Sequence, residues 1–177
     1  MRECGTCNLC CKVIAVDALH KPAGVWCQHA VPGKGCSIYG THPGECKSFQ
    51  CGWLSTPELG DEWKPTTSRF VLLRRDGALI VYVDPNHRGA WKKQPYYSIL
   101  KRNAEALAVS GVRLIIYEGK DTTIMFPEED LFVGQINRSD NLAAGYITTP
   151  LTRQPHVKVE TAAGATSQYL GGVYPSR

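Results

Sequence analysis

The chain has 177 residues, of which 43% are apolar and 20% charged, and its formal charge is +4. That is the composition of a soluble globular protein of one domain or two small ones, and the mild positive charge permits an acidic partner without requiring one. No apolar run approaches the roughly 18 residues of a membrane span, and Met1-Arg2-Glu3-Cys4 carries no export signal, so a cytoplasmic protein with reduced thiols is expected.

The first segment, residues 1–62, is expected to be a loop-rich module. Its large aliphatics are few, and Pro22, Gly24, Pro32-Gly33, Gly35, Gly40 and Pro43-Gly44 interrupt it repeatedly. A segment so poor in core residues is marginal alone and needs a staple. All eight cysteines of the chain lie here: Cys4, Cys7, Cys10, Cys11, Cys27, Cys36, Cys46 and Cys51. Thiolates at x2 spacing suit a soft metal, because a C-x-x-C turn lets two sulfurs converge on one centre, and metal binding then becomes folding free energy. Four disulfides are the competing reading. The absence of an export signal and the vicinal Cys10-Cys11 pair weigh against it.

The intervals read C-x2-C-x2-C-C-x15-C-x8-C-x9-C-x4-C. Eight ligands suffice for two tetrathiolate sites. The opening C-x2-C-x2-C resembles the first three ligands of a ferredoxin-type run, which favours a [4Fe–4S] cluster on Cys4, Cys7 and Cys10 with a fourth cysteine from later in the chain. Two zinc ions remain the alternative. Cys10 and Cys11 are expected to point apart and either serve different centres or include one that is not a ligand, and Cys46 and Cys51 to lie close together.

Residues 63–137 are expected to form a small α+β domain. Phe70–Leu73 and Ala78–Val83 are strand-like runs around Asp76-Gly77, a strong hairpin turn. A helix follows, with Pro95 in its first turn, Tyr96, Ile99, Leu100, Asn103, Ala106 and Leu107 on one face, and Gly111 as its stop. Val112–Tyr117 and Thr122–Phe126 form a second hairpin, which completes a β-β-α-β-β unit. Residues 138–177 carry few apolar side chains and are expected to be an extended tail along the body.

The run Cys4-x2-Cys7-x2-Cys10-Cys11 is followed by Trp26-Cys27-Gln28-His29, Gly35-Cys36-Ser37-Ile38-Tyr39, His42-Pro43-x2-Cys46 and Phe49-x-Cys51. Together these resemble the CxxCxxCC, or YkgJ-like, family of zinc- or iron-chelating proteins. The resemblance covers residues 4–53 and all eight cysteine positions. It implies a bound metal, zinc or an iron–sulfur cluster, and some members are described as iron–sulfur oxidoreductases. Where the family has Arg-Pro-x2-Cys-Arg, this chain has His42-Pro43-Gly44-Glu45-Cys46-Lys47. Longer members include flagellin lysine methylases. This chain has no glycine-rich S-adenosylmethionine loop after a strand, so that activity is not carried over.

Other residues admit plainer readings. His29 and His42 stand near cysteines as alternative nitrogen ligands, and surface histidines are the simpler account. Glu45 is the one carboxylate of the cysteine-rich core placed to act as a base, although a solvated loop position explains it as well. Residues 69–120 hold ten Lys or Arg against four acids, with Trp91, Tyr96 and Tyr97 interleaved. That pattern fits either a nucleic-acid stacking surface or helix-packing aromatics beside a solvated face. Two function classes follow: a redox or metal-handling protein with a redox or protein partner, and a non-enzymatic zinc-stabilised adaptor that binds protein or nucleic acid.

Overall fold

The computed structural model describes residues 2–137 and 139–176, so Arg138, the first residue of the expected tail, and the two chain ends lie outside the described residues. The cysteine-rich segment folds into single turns and one minimal hairpin. These are α1 (Cys10–Val13), β1 (Ala30–Val31) paired antiparallel with β2 (Gly35–Cys36), α2 (Gly44–Lys47) and α3 (Gly52–Ser55). A further turn, α4 (Pro65–Ser68), leads into the body.

The expected β-β-α-β-β unit is present. β3 (Phe70–Arg75) and β4 (Ala78–Val83) form a hairpin whose turn residues Asp76 and Gly77 have φ of +49° and +67°, the positive values that a tight two-residue turn requires. α5 (Tyr96–Val109) stops before Gly111, and β5 (Arg113–Glu118) pairs antiparallel with β6 (Asp121–Met125). β4 and β5 run parallel, so the chain has to cross over between them, and α5 lies within that crossover.

Two parts of the sequence reading are corrected. A fifth strand, β7 (Asp130–Gln135), pairs with β6 and gives the order β3-β4-β5-β6-β7. Its apolar alternation is short and its Phe132 points to solvent at 59% exposure, so the pattern reads weakly in sequence. The expected tail is a second sheet. β8 (Asn141–Thr148), β10 (Thr166–Leu170) and β11 (Tyr174–Pro175) all pair antiparallel with a central β9 (Thr152–Glu160). Only one face of this sheet is buried, so half of its positions carry polar or small residues and the segment looks poor in core.

The central sheet is covered on both faces. On one side Tyr96, Leu100 and Ala104 of α5 share a core with Phe70, Val81 and Leu114, and Leu9, Val13, Cys51 and Trp53 of the cysteine-rich segment join that same core. On the other side Val157 and Val159 of β9 pack on Ile80, Ile115, Ile124 and Val133. The architecture is mixed α+β, with several sheets and few helices. Leu100 is fully buried. Leu100→Ala is therefore expected to cost about 2–5 kcal/mol, the range for a leucine truncated in a packed core, measured as a shift of the urea midpoint with an unchanged slope.

Candidate metal centre

Arg2 fixes the start of the chain. Its guanidinium donates to the carbonyls of Trp53 (2.8 Å), Thr56 (3.0 Å), Pro57 (3.1 Å) and Leu59, holding the N-terminus against α3 and the loop after it. This brings Cys4 beside Cys51, the residue that precedes α3. Cys7 turns back on Cys4, its N–H donating to the Cys4 carbonyl at 2.9 Å. Gly52 lets α3 approach the sheet: a Cβ there would stand 2.7 Å from Leu72 Cβ and 3.2 Å from the Leu72 carbonyl oxygen. Gly52→Ala should thus push α3 off β3 at a cost of about 1–3 kcal/mol, as for an overpacked core position, read in thermal unfolding.

A second set of contacts gathers the other cysteines. The Cys27 N–H donates to the Cys11 carbonyl at 3.0 Å, the Ala30 N–H donates to the Cys27 carbonyl at 3.0 Å, and Ala30 pairs with Cys36 across the β1–β2 hairpin. Cys46 lies in α2, where the Glu45 carboxylate accepts the Asp17 N–H at 2.8 Å. Glu45 thus has an anchoring contact of its own.

Burial and neighbouring thiols shift several of these cysteines. Burial pushes the Cys4 thiol up, and Cys7, Cys51 and Cys11 push it further. Burial also raises Cys51, opposed by the N–H groups of Leu54 and Trp53, with Cys7 as the neighbouring thiol. Cys46 is raised by burial and then by Cys11, Cys27 and Cys36. Cys46 lies in α2, and Cys51 immediately precedes α3. The chain between them leaves α2 for the edge of the sheet.

Cys10 and Cys11 shift in opposite directions: the Cys11 side chain and burial push Cys10 up, whereas Cys10 and, more weakly, the charge of Lys21 lower Cys11.

All eight cysteines are free thiols and line one cavity of about 1360 Å³. Among the described residues no three His, Cys, Asp or Glu side chains converge closely enough to hold a metal ion. The donor set has the right chemistry for a soft metal, and closing either group around one requires local convergence of the loops that carry it.

Two lysines that the sequence gave no reason to single out organise the module. Lys21 is 7% exposed and donates to the carbonyls of Lys12 (3.2 Å), Ile14 and Pro22 (3.0 Å). Burial lowers its pKa, and the nearby Cys27, Cys11, Cys10 and Cys46 oppose that shift. Lys12 pairs with Asp84 at 2.6 Å, with both side chains under 8% exposed. This pair joins α1 to the residue that follows β4.

The histidines make local contacts. His42 Nδ1 accepts the Gly40 N–H at 3.0 Å and its ring stacks on Tyr39, whereas His29 Nε2 lies 3.4 Å from Gln28 Nε2. The aromatics proposed for base stacking are engaged elsewhere. Trp91 is 1% exposed, Tyr96 donates to the Glu62 carbonyl at 2.8 Å, and Tyr97 donates to Asp130 at 3.0 Å. Among the described residues no helix is long and apolar enough to cross a membrane.

Fold and site together define a cysteine-rich α+β protein with eight free thiols around one cavity. No family model matches the chain, and neither a curated protein nor a solved structure matches it. The resemblance to the CxxCxxCC family rests on the cysteine motifs of residues 4–53.

Proposed function

We propose that this protein binds soft metal through its cysteines in two centres, Cys4, Cys7, Cys10 and Cys51 in one and Cys11, Cys27, Cys36 and Cys46 in the other. What supports this reading is that all eight free thiols line one cavity, with Cys4 held near Cys51 by the Arg2 clamp and Cys27 tied to Cys11 and Cys36 through the Cys11–Cys27–Ala30 ladder. Four thiolates close one tetrahedral zinc or bind one iron–sulfur cluster. The C-x2-C-x2-C opening favours a [4Fe–4S] cluster on the first set, with Cys51 supplying the late fourth ligand. A cluster makes the protein an electron carrier or redox partner; zinc makes it a metal-handling or metal-folded protein.

The test is a visible spectrum with iron, zinc and acid-labile sulfide analysis on protein purified without oxygen. Brown protein with matching iron and sulfide that bleaches on reduction supports the cluster. Colourless protein with about two zinc per chain, the number eight thiolates can close, supports zinc. Protein that takes up neither metal when reduced and reconstituted overturns the proposal.

A further inference from the structure

β8 is one edge of the second sheet. Among the described strands it pairs with β9 alone, over residues 141–148 and without a break in register. Just past its end the Thr149 N–H donates to the Thr152 carbonyl at 2.7 Å, so the backbone groups of Thr149 point at β9. That direction alternates along an antiparallel pair, which turns Asn141, Ala143, Gly145 and Ile147 toward β9. Leu142, Ala144, Tyr146 and Thr148 therefore direct their N–H and C=O groups away from the sheet. The Leu142 carbonyl accordingly accepts the Arg113 guanidinium at 2.8 Å.

Natural sheet edges are blunted by charged residues, proline or a bulge. Asn141-Leu142-Ala143-Ala144-Gly145-Tyr146-Ile147-Thr148 has no charge and no proline, and its register is unbroken. The core-facing Leu142, Ala144 and Tyr146 are only partly buried, whereas Val157 and Val159 beside them on β9 are buried. On the other face Ile147 is 47% exposed. Backbone groups and apolar flanks are thus open together, as on an edge that accepts another strand.

The strand fits a second copy of itself. Antiparallel pairing about Gly145 sets Ala144 opposite Tyr146 and Leu142 opposite Thr148, so that outward backbone groups meet outward backbone groups. It also sets Ala143 opposite Ile147 on the outer face, small against large on both faces. An axis at Tyr146 or at Ala144 would instead put Tyr146 against Tyr146 or against Leu142. Gly145 meets its own copy in a pair without hydrogen bonds, where Cα atoms approach to about 4.5 Å. No like charges face each other along this edge, although the chain carries +4.

We propose that β8 is a dimer interface, along which two copies of this chain join antiparallel into one continuous sheet with Gly145 on the two-fold axis. The interface lies outside the cysteine-rich segment and does not rest on metal.

The experiment is sedimentation equilibrium of the full reduced chain over a range of concentrations and salt, with metal content measured on every sample. The wild type is expected to approach twice the chain mass of 19.5 kDa as concentration rises. A Cβ at Gly145 meets open space within one copy. Gly145→Lys and Gly145→Glu should therefore keep the fold, checked by circular dichroism and thermal unfolding, yet place two like charges face to face in the dimer. Each variant alone is expected to be monomeric. An equimolar mixture of the two should associate again, and less so as salt rises, because a lysine then faces a glutamate across the axis. The proposal is overturned if the wild type stays monomeric at every concentration, including a monomer that takes up extended peptides of unrelated sequence. It is equally overturned if both variants still dimerise, or if the two folded variants do not associate when mixed. A wild-type dimer that is lost only on metal removal would place the interface in the cysteine-rich segment and overturn it as well.

Discussion

Lys12→Met is expected to destabilise the protein by about 3–5 kcal/mol, the cost of leaving one member of a buried ion pair without its partner. The Asp84 carboxylate is 5% exposed and accepts from Lys12 Nζ at 2.6 Å, from the Asn86 N–H at 3.0 Å and from His87 Nδ1 at 3.1 Å. Burial alone would raise its pKa, but the Lys12 bond and the two local contacts outweigh that and hold it below the ordinary aspartate range. A carboxyl lowered on folding contributes stability that is complete above its unfolded pKa and disappears as pH falls through its folded pKa. The wild type should therefore lose this contribution only in strong acid.

Asp84→Asn should remove that acid-dependent limb and, at neutral pH, leave the Lys12 ammonium buried without its counter-charge. The double variant Lys12→Met, Asp84→Asn should recover much of the loss of either single one, because it leaves no unpaired buried charge. Urea unfolding of the four proteins at neutral and acid pH measures this. Additive losses in the double variant would show that the two side chains act independently. The pair joins the cysteine-rich segment to the sheet, so its loss should also loosen the thiol neighbourhoods.

Cys51→Ala and Cys27→Ala are each expected to remove about half of the bound metal, and the two together all of it. The expectation rests on the two centres proposed above, with Cys51 beside Cys4, Cys7 and Cys10 in one and Cys27 beside Cys11, Cys36 and Cys46 in the other. Ligation of a structural metal contributes on the order of 10 kcal/mol of folding free energy, so each loss should also lower the melting temperature. Cys46→Ala combined with Cys51→Ala discriminates between assignments. If those two served one centre, as their spacing suggests, half of the metal would survive; with the proposed division, both centres are damaged. Elemental analysis of the purified variants reads the difference directly.

Hairpins and helix were legible in the sequence because their signals are local. Asp76-Gly77 supplies two positive φ angles, the apolar face of residues 96–107 repeats at helical period, and Gly111 ends it. The loop-rich character of the first 62 residues followed from their shortage of aliphatics. The strands after Phe126 were not legible. β7 is short and exposes a phenylalanine, while β8 to β11 bury one face only, so alternation reduced their apolar content below what marks a strand.

The sequence by itself determined that eight thiols fall in one short segment, that they suit soft metal, and that a β-β-α-β-β unit follows. Only the tertiary structure decided how that segment is held against the sheet. Its placement depends on a guanidinium reaching more than fifty residues along the chain to the carbonyls of Trp53, Thr56, Pro57 and Leu59, on a glycine that lets α3 meet Leu72, and on a buried lysine whose carboxylate partner is 72 residues away. Spacing limits which sulfurs can meet within a turn, whereas long-range hydrogen bonds and packing fix which of them are neighbours in space.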